Sequence, residues 1–299
     1  NLKITKAFGT GSVLEWNDIK DEVEFKVKKD GEASGTIYKG NSFVLNAVTG
    51  LYECRITNLE PGIYIVTESK SDKDGYSRKT TYQVGTSKGT GTTGTIALTA
   101  GTDEDIQFTN TYTINKFPIK ISKKAVGGTE ELAGATLAVY AADTNGNPTG
   151  AAIDSWSTTN TAKALELTPG NYVLVEESVP ADYVKAANIG ITVAADGTIT
   201  STTRELDVTS KTITMRDAKK PTLTIEKTLG TLPAGKTAAD VLKNLKFVIK
   251  KGEVPVYTIY GSADSQGAGA ASDVLEETTV GGKKVYSKTL SDVEIGTYT

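Results

Sequence analysis

Hydrophobic and polar residues alternate in short runs along most of this chain. That period of two predicts β-strands, whose successive side chains point to opposite faces. Three runs end in lysine: Leu2-Lys3-Ile4-Thr5-Lys6, Ile119-Lys120-Ile121-Ser122-Lys123 and Leu223-Thr224-Ile225-Glu226-Lys227. Within each run the lysine shares a face with the two aliphatic residues, so the strand aims its amine into the core those residues define. An ammonium buried without a partner is costly, and it responds by shedding its proton or acquiring a counter-charge.

The same counting supplies partners. Tyr64, Val66 and Glu68 share a face, as do Ile106, Phe108 and Asn110. About a hundred residues on, Tyr172, Leu174 and Glu176 share one face, and Ile213, Met215 and Asp217 another. A Lys–Glu–Asn set is thus followed by a Lys–Glu–Asp set in the same order and at similar spacing. Lys227 has no such set. Gly296-Thr297-Tyr298-Thr299 parallels Gly62-Ile63-Tyr64-Ile65, so the third unit ends before its own glutamate is due. The expectation is a truncated unit in a fragment of a longer protein.

Three units follow: 1–115, 116–218 and 219–299, joined through the short polar segments Thr113-Ile114-Asn115-Lys116 and Ala218-Lys219-Lys220-Pro221. Such joins suit limited bending rather than long tethers. Segments 85–94 and 261–273, rich in Gly, Ser, Thr and Ala, read as mobile loops. Asn145-Gly146 signals a hairpin, and one short helix is expected at 237–245, with Val241, Leu242 and Leu245 as its apolar stripe. Units one and three resemble each other most, as in Val23-Glu24-Phe25-Lys26-Val27 and Leu245-Lys246-Phe247-Val248-Ile249.

Composition narrows the function. With 299 residues and 38 % hydrophobic content, the chain has strand-formers and turn signals in abundance and reads as all-β. No apolar run reaches membrane-spanning length, so no membrane insertion is expected. A net charge of −3 offers no field for nucleic acid. Histidine is absent and Cys54 is the only cysteine. That excludes imidazole catalysis, a Ser-His-Asp triad, a Cys/His zinc site and an intrachain disulfide framework. No metal or cofactor is expected. Cys54 reads as a small strand residue, Asp143-Thr144-Asn145-Gly146-Asn147 as a turn rather than a calcium loop, and Trp16 and Trp156 as packing residues. Asp72-Lys73-Asp74 and Asp103-Glu104-Asp105 read as solvated loop charges.

The buried sets carry the chemistry. A lysine that loses its proton on burial is a nucleophile, and a neighbouring carboxamide or carboxylic acid is an electrophile. A buried glutamic acid can polarise that carbonyl and pass protons to the leaving group, and fixing all three together supplies proximity. The product is a side-chain amide: Lys6 to Asn110 with loss of ammonia, and Lys123 to Asp217 with loss of water, assisted by Glu68 and Glu176.

At this point the chain resembles a family. The segment Tyr172-Val-Leu174-Val-Glu176-Glu-Ser-Val-Pro180-Ala-Asp-Tyr183 is similar to the "E-box" of Gram-positive pilins and adhesins. With Ile-Ser-Lys123, Leu132-Ala-Gly-Ala and Met215-Arg-Asp217-Ala, unit two resembles a Cna B-type domain with a Lys–Asp isopeptide bond. Unit one, with Thr5-Lys6, Val66-Thr-Glu68 and Phe108-Thr-Asn110-Thr-Tyr112, resembles the Lys–Asn domains of pilin shafts. Unit three matches only through Lys227, an unpaired candidate. Pro180-Ala-Asp-Tyr183 departs from the usual Pro-x-Gly-Tyr, and unit one keeps Gly75-Tyr76 without the proline. The resemblance implies tandem Ig-like, transthyretin-like β-sandwiches whose first and last strands are covalently tied.

It further implies a structural stalk or fibre segment of an extracellular, cell-wall-anchored Gram-positive surface protein. Its partners would be neighbouring domains or subunits of the same fibre, and host surface or matrix molecules reached through other regions. The alternative is a ligand-binding adhesin tip recognising matrix protein or glycan. Neither is an enzyme, since a nucleophile consumed in one turnover does not recycle.

Overall fold

A computed structural model describes all residues except 266–273, 292 and 295. The all-β expectation holds: among the described residues the only α-helices are Trp16–Ile19 and Ala238–Leu242. Strand pairings stay within 1–114, 117–219 and 223–299. In the first unit one sheet runs, edge to edge, Val44–Asn46, Leu51–Ile56, Leu2–Phe8, Glu104–Ile114, Tyr76–Val84 and Ser87–Thr90. Its companion is Thr36–Lys39, Glu24–Lys29, Gly62–Lys70 and Thr93–Leu98. Between them lies a core containing Leu2, Ile4, Phe25, Val66, Ile106 and Phe108, with Trp16 stacked on Tyr52 at 4.3 Å between ring centres.

The second unit repeats the plan. Lys163–Leu167, Phe117–Ala125, Thr212–Lys219 and Tyr183–Val184 form one sheet; Pro148–Ser157, Thr136–Ala142, Gly170–Ser178, Ile189–Val193 and Ile199–Ser201 form the other. In both units the first and last long strands are parallel neighbours in the middle of a sheet. Leu2–Phe8 lies beside Glu104–Ile114, and Phe117–Ala125 beside Thr212–Lys219. Parallel neighbours need a long crossover, and here the rest of the sandwich is that crossover.

In the third unit Leu223–Thr228 pairs antiparallel with Lys283–Leu290, which pairs with Glu276–Val280, and Lys246–Lys251 forms a hairpin with Val254–Tyr260. This matches the antiparallel pairing of Leu2–Phe8 with Leu51–Ile56. The likeness of units one and three extends to a helix after the first strand. Trp16–Ile19 is not expected from sequence because four residues carry too little periodicity; at its start the Glu15 N–H donates to Asp18 Oδ2 at 2.8 Å. Ala238–Leu242 is shorter than the expected 237–245, and Thr237 and Asp240 form its capping box. In both, the helix end is met by a glycine: a Cβ on Gly40 would lie 2.0 Å from the Lys20 carbonyl oxygen, and one on Gly261 2.1 Å from that of Leu242.

One expectation is corrected. Residues 85–94 are not a mobile loop but contribute Ser87–Thr90 and the start of Thr93–Leu98. Their glycines serve close packing: a Cβ on Gly89 would meet the Tyr82 ring at 2.2 Å, and one on Gly94 would meet Ile106 at 2.6 Å. Of the other expected loop, 261–273, residues 266–273 lie outside the described residues. The Asn145-Gly146 hairpin is present between Thr136–Ala142 and Pro148–Ser157, with Asp143 accepting the N–H groups of Asn145 and Asn147.

Gly40→Ala is expected to destabilise unit one by about 1–3 kcal/mol, since the new methyl has no room beside the helix end. Hydrogen exchange should show faster opening in peptides from 1–115 and no change in 117–219. Unchanged protection in unit one would show that the helix end yields.

Candidate functional site

The inward-facing series fold as pairs of strands across the sandwich. Leu2, Ile4 and Lys6 are each fully buried, as are Ile106, Phe108 and Asn110. The parallel register sets Lys6 opposite Phe108 and Lys123 opposite Met215, so each lysine's partner lies two residues further along the neighbouring strand. The glutamates come from the facing sheet, Glu68 on Gly62–Lys70 and Glu176 on Gly170–Ser178. Pairing along both of these strands shifts register just after the glutamate, between Phe25↔Glu68 and Glu24↔Lys70 and between Leu137↔Glu176 and Thr136↔Ser178. A bulge at that point re-aims the side chain beside it, and its recurrence is invisible in the residue pattern.

In unit one the Lys6 amine lies 2.8 Å from Glu68 Oε1, both side chains fully buried. Asn110 Nδ2 donates to the same Glu68 Oε1 at 3.0 Å, to Ser71 Oγ at 2.9 Å and towards the Tyr112 hydroxyl at 3.1 Å. One carboxylate oxygen therefore faces both the amine and the amide nitrogen. The other, Oε2, accepts from Arg78 Nη1 at 2.7 Å. Asn110 Oδ1 is buried without a hydrogen-bond partner among the described residues. Burial pulls the Lys6 amine down to about 8; the Glu68 charge opposes this and the Arg78 charge reinforces it.

Unit two is simpler. The Lys123 amine lies 2.9 Å from Glu176 Oε1 and donates to Asp217 Oδ1. Glu176 Oε2 accepts the backbone N–H of Ala186 at 2.7 Å. Glu176 and Asp217 are fully buried and Lys123 nearly so. Burial pushes the Asp217 carboxyl up to about 6, opposed by Lys123 and reinforced by the neighbouring Glu176. Asp217 Oδ2 has no hydrogen-bond partner among the described residues.

The structure thus brings together Lys6, Glu68 and Asn110, and separately Lys123, Glu176 and Asp217. Lys227 is only half-buried, sits opposite Tyr286, and has no side-chain hydrogen bond or ion pair among the described residues. Residues that the sequence reading did not assign complete unit one: Ser71, Arg78 and Tyr112. Tyr112 continues the inward alternation of Phe108 and Asn110 and was within reach of face-counting. Arg78 and Ser71 belong to the next strand and the turn before it, and only the fold brings them in. Trp16 is in the core, and Trp156 packs against the unit-two cluster with the Lys163 amine 5.5 Å over its ring. Among the described residues no group of three or more His, Cys, Asp or Glu side chains could hold a metal ion.

Residues 117–207 match the family model "SpaA: Prealbumin-like fold domain". Comparison with curated protein sequences finds no match. Among solved structures, the Bacillus anthracis TIE protein is 16 % identical over 97 % of this chain and 43 % of its own, with a TM-score of 0.47. A C-terminal fragment of the pilus adhesin SpaC from Lactobacillus rhamnosus GG is 17 % identical over 78 % of this chain and 98 % of that fragment, with a TM-score of 0.42. A streptococcal ancillary pilin is 17 % identical over 74 % and 62 %, with a TM-score of 0.29. The chain spans less than half of the TIE protein and 31 % of a longer SpaC structure. The family-model match over 117–207 is consistent with the transthyretin-like resemblance of unit two.

The two sites should respond differently to loss of the lysine. Lys6→Met leaves Glu68 paired with Arg78, whereas Lys123→Met leaves Glu176 and Asp217 together with no cation. One of that pair must then hold a proton, so the folded-state value lies above the unfolded one. The resulting stability is present at low pH and lost as pH rises through about 6 and beyond. Urea unfolding of the Lys123→Met chain between pH 5 and 8 should show unit two weakening with pH and unit one of Lys6→Met changing far less. Equal pH dependence of the two variants would contradict this electrostatic assignment.

Proposed function

We propose that this chain is a structural stalk or fibre segment of a Gram-positive cell-surface pilin or adhesin, stiffened by two autocatalytic intramolecular isopeptide bonds. The observation that carries this reading is the twice-repeated buried triplet, each with a lysine amine against a glutamate and its acceptor on the parallel last strand. In unit one the neutral Lys6 amine attacks Asn110 Cγ, and the Nζ–Cγ bond forms as the Cγ–Nδ2 bond breaks. One proton passes from Nζ by way of Glu68 Oε1 to Nδ2, which leaves as ammonia. In unit two the Lys123 Nζ–Asp217 Cγ bond forms as a Cγ–Oδ bond breaks, and the two protons that the Lys123 ammonium gives up leave with that oxygen as water. The nucleophile is consumed, so each site turns over once and the protein is not an enzyme in the ordinary sense.

Topology supports a mechanical role. Tension entering at the N-terminus would pass from Lys6 to Asn110, along the continuous stretch to Lys123, and on to Asp217. The residues enclosed between each bonded pair would then bear no load. The join is itself braced, with Asn115 N–H donating to the Gly75 carbonyl at 2.9 Å and the Ser77 hydroxyl donating to Asn115 Oδ1 at 2.6 Å. By the loop-entropy account used for disulfides, closing a loop of about 100 residues contributes roughly 4–5 kcal/mol. Neighbouring units and subunits of the same fibre are the natural partners.

The intact folded chain is expected to weigh less than its sequence mass by one ammonia plus one water. Glu176→Ala should restore the water, leave unit two folded, and make it easier to melt and digest. A folded wild-type chain at full sequence mass, or a Lys123–Asp217 cross-link recovered from Glu176→Ala, would overturn the reading.

A further inference from the structure

The glutamates of the two sites have the same place in the fold but different anchors. In both, Oε1 faces the lysine amine at 2.8–2.9 Å. The far oxygen of Glu176 takes a neutral backbone N–H from Ala186, whereas that of Glu68 takes a full guanidinium charge from Arg78. Arg78 is not a stray surface residue. Its side chain is 12 % exposed. Nη1 also donates to Ser71 Oγ at 2.7 Å and to Thr80 Oγ1 at 3.2 Å, and Nε donates to Asp72 Oδ1 at 3.0 Å.

We propose that Arg78 is the positioning residue of the unit-one site: it holds Glu68 as an ion-paired carboxylate, so that Glu68 acts as the base for Lys6 and the proton carrier to the leaving nitrogen of Asn110. This rests on the isopeptide reading above and departs from the protonated glutamic acid expected from sequence.

Three observations converge on it. First, an ionised carboxylate only accepts hydrogen bonds, and Asn110 presents Nδ2, the atom that must leave, to Glu68 Oε1 at 3.0 Å. Arg78 thereby fixes the amide's orientation as well as the charge of its neighbour. Second, Ser71 Oγ, held by Arg78, and the Tyr112 hydroxyl, which donates to the Ser71 carbonyl, hold the same nitrogen. Burial pushes the Tyr112 phenol up, which keeps it a proton donor to that carbonyl. Third, two cations, Lys6 and Arg78, meet the one buried carboxylate, Glu68, while the second carboxylate on Arg78, Asp72, is exposed to solvent. The charged groups facing Lys6 are Glu68 and Arg78, and the Phe8 ring lies 5.8 Å from the amine. The arrangement is relieved when Lys6 gives up its proton, leaving a neutral Glu68–Arg78 pair and a nucleophilic amine. In unit two no second cation is needed, because the Asp217 carboxylate can itself take the lysine's proton. A carboxamide cannot.

The test uses chain purified from inclusion bodies, which has never folded, diluted into buffers from pH 5 to 9 and quenched for intact mass and peptide mapping. In the wild type the Lys6–Asn110 bond should form faster as pH rises towards about 8 and then level off. Arg78→Gln should slow that bond at pH 7 and move the profile to higher pH, because the Arg78 charge helps hold the Lys6 amine down. Arg78→Lys should recover most of the rate, and the Lys123–Asp217 bond should be untouched in both. In the Asn110→Ala background, where no bond can form, the Lys6 amine followed by nitrogen-15 NMR should titrate higher after Arg78→Gln. That readout remains if bond formation in the variant is lost through loosened packing. An Arg78→Gln chain with the wild-type rate and profile, or an unmoved Lys6 titration, overturns the role of Arg78. A wild-type chain that never loses ammonia overturns the bond reading itself, whatever Arg78 does.

Discussion

A lysine amine placed between two packed sheets is the constraint on which the rest depends. At full burial the charged form is disfavoured, and the site survives because a glutamate from the facing sheet meets the amine at 2.8 Å in unit one and 2.9 Å in unit two. That meeting requires two sheets at fixed separation, parallel first and last strands, and a bulge that turns the glutamate inward. The architecture and the site are therefore one problem: a sandwich that satisfied its buried amine less well would lose stability at its centre.

The two sites solve that problem with different charge balances. Unit two sets one lysine against two carboxylates, Glu176 and Asp217, and burial pushes the Asp217 carboxyl up. Unit one sets two cations, Lys6 and Arg78, around one buried carboxylate, Glu68, with the exposed Asp72 on the outer side of Arg78. The difference goes with the residue on the last strand, Asn110 in unit one and Asp217 in unit two. An aspartate brings its own negative charge to Lys123 and an asparagine brings none to Lys6, and the additional charged group at Glu68 in unit one is the Arg78 cation.

The third unit shows how much the arrangement owes to the parallel strand. Leu223–Thr228 has the antiparallel neighbour that Leu2–Phe8 also has, but no described strand lies along its other edge. Lys227 is accordingly half-buried rather than sealed, although its run follows the same alternation as Lys6 and Lys123. Alternation brings a lysine to the inner face; Lys6 and Lys123 are enclosed where a strand lies along each side of theirs.

Strand content and the inward positions of Lys6, Glu68, Asn110, Lys123, Glu176 and Asp217 were legible in the sequence, because side-chain direction in a strand is a local property with a period of two. The repeated order of those residues also identified which of them belong together. Other features were decided in three dimensions. Residues 85–94 became strands because Tyr82 and Ile106 pack where their glycines leave room, and composition alone read them as loop. The bulges after Glu68 and Glu176 arise from cross-strand register, which no single strand records. Arg78 and Ser71 reach Glu68 and Asn110 through contacts made only when separate strands and their connecting turn assemble. Local periodicity dictates which way a side chain points. What it meets there, and with what charge, is set by partners distant in sequence.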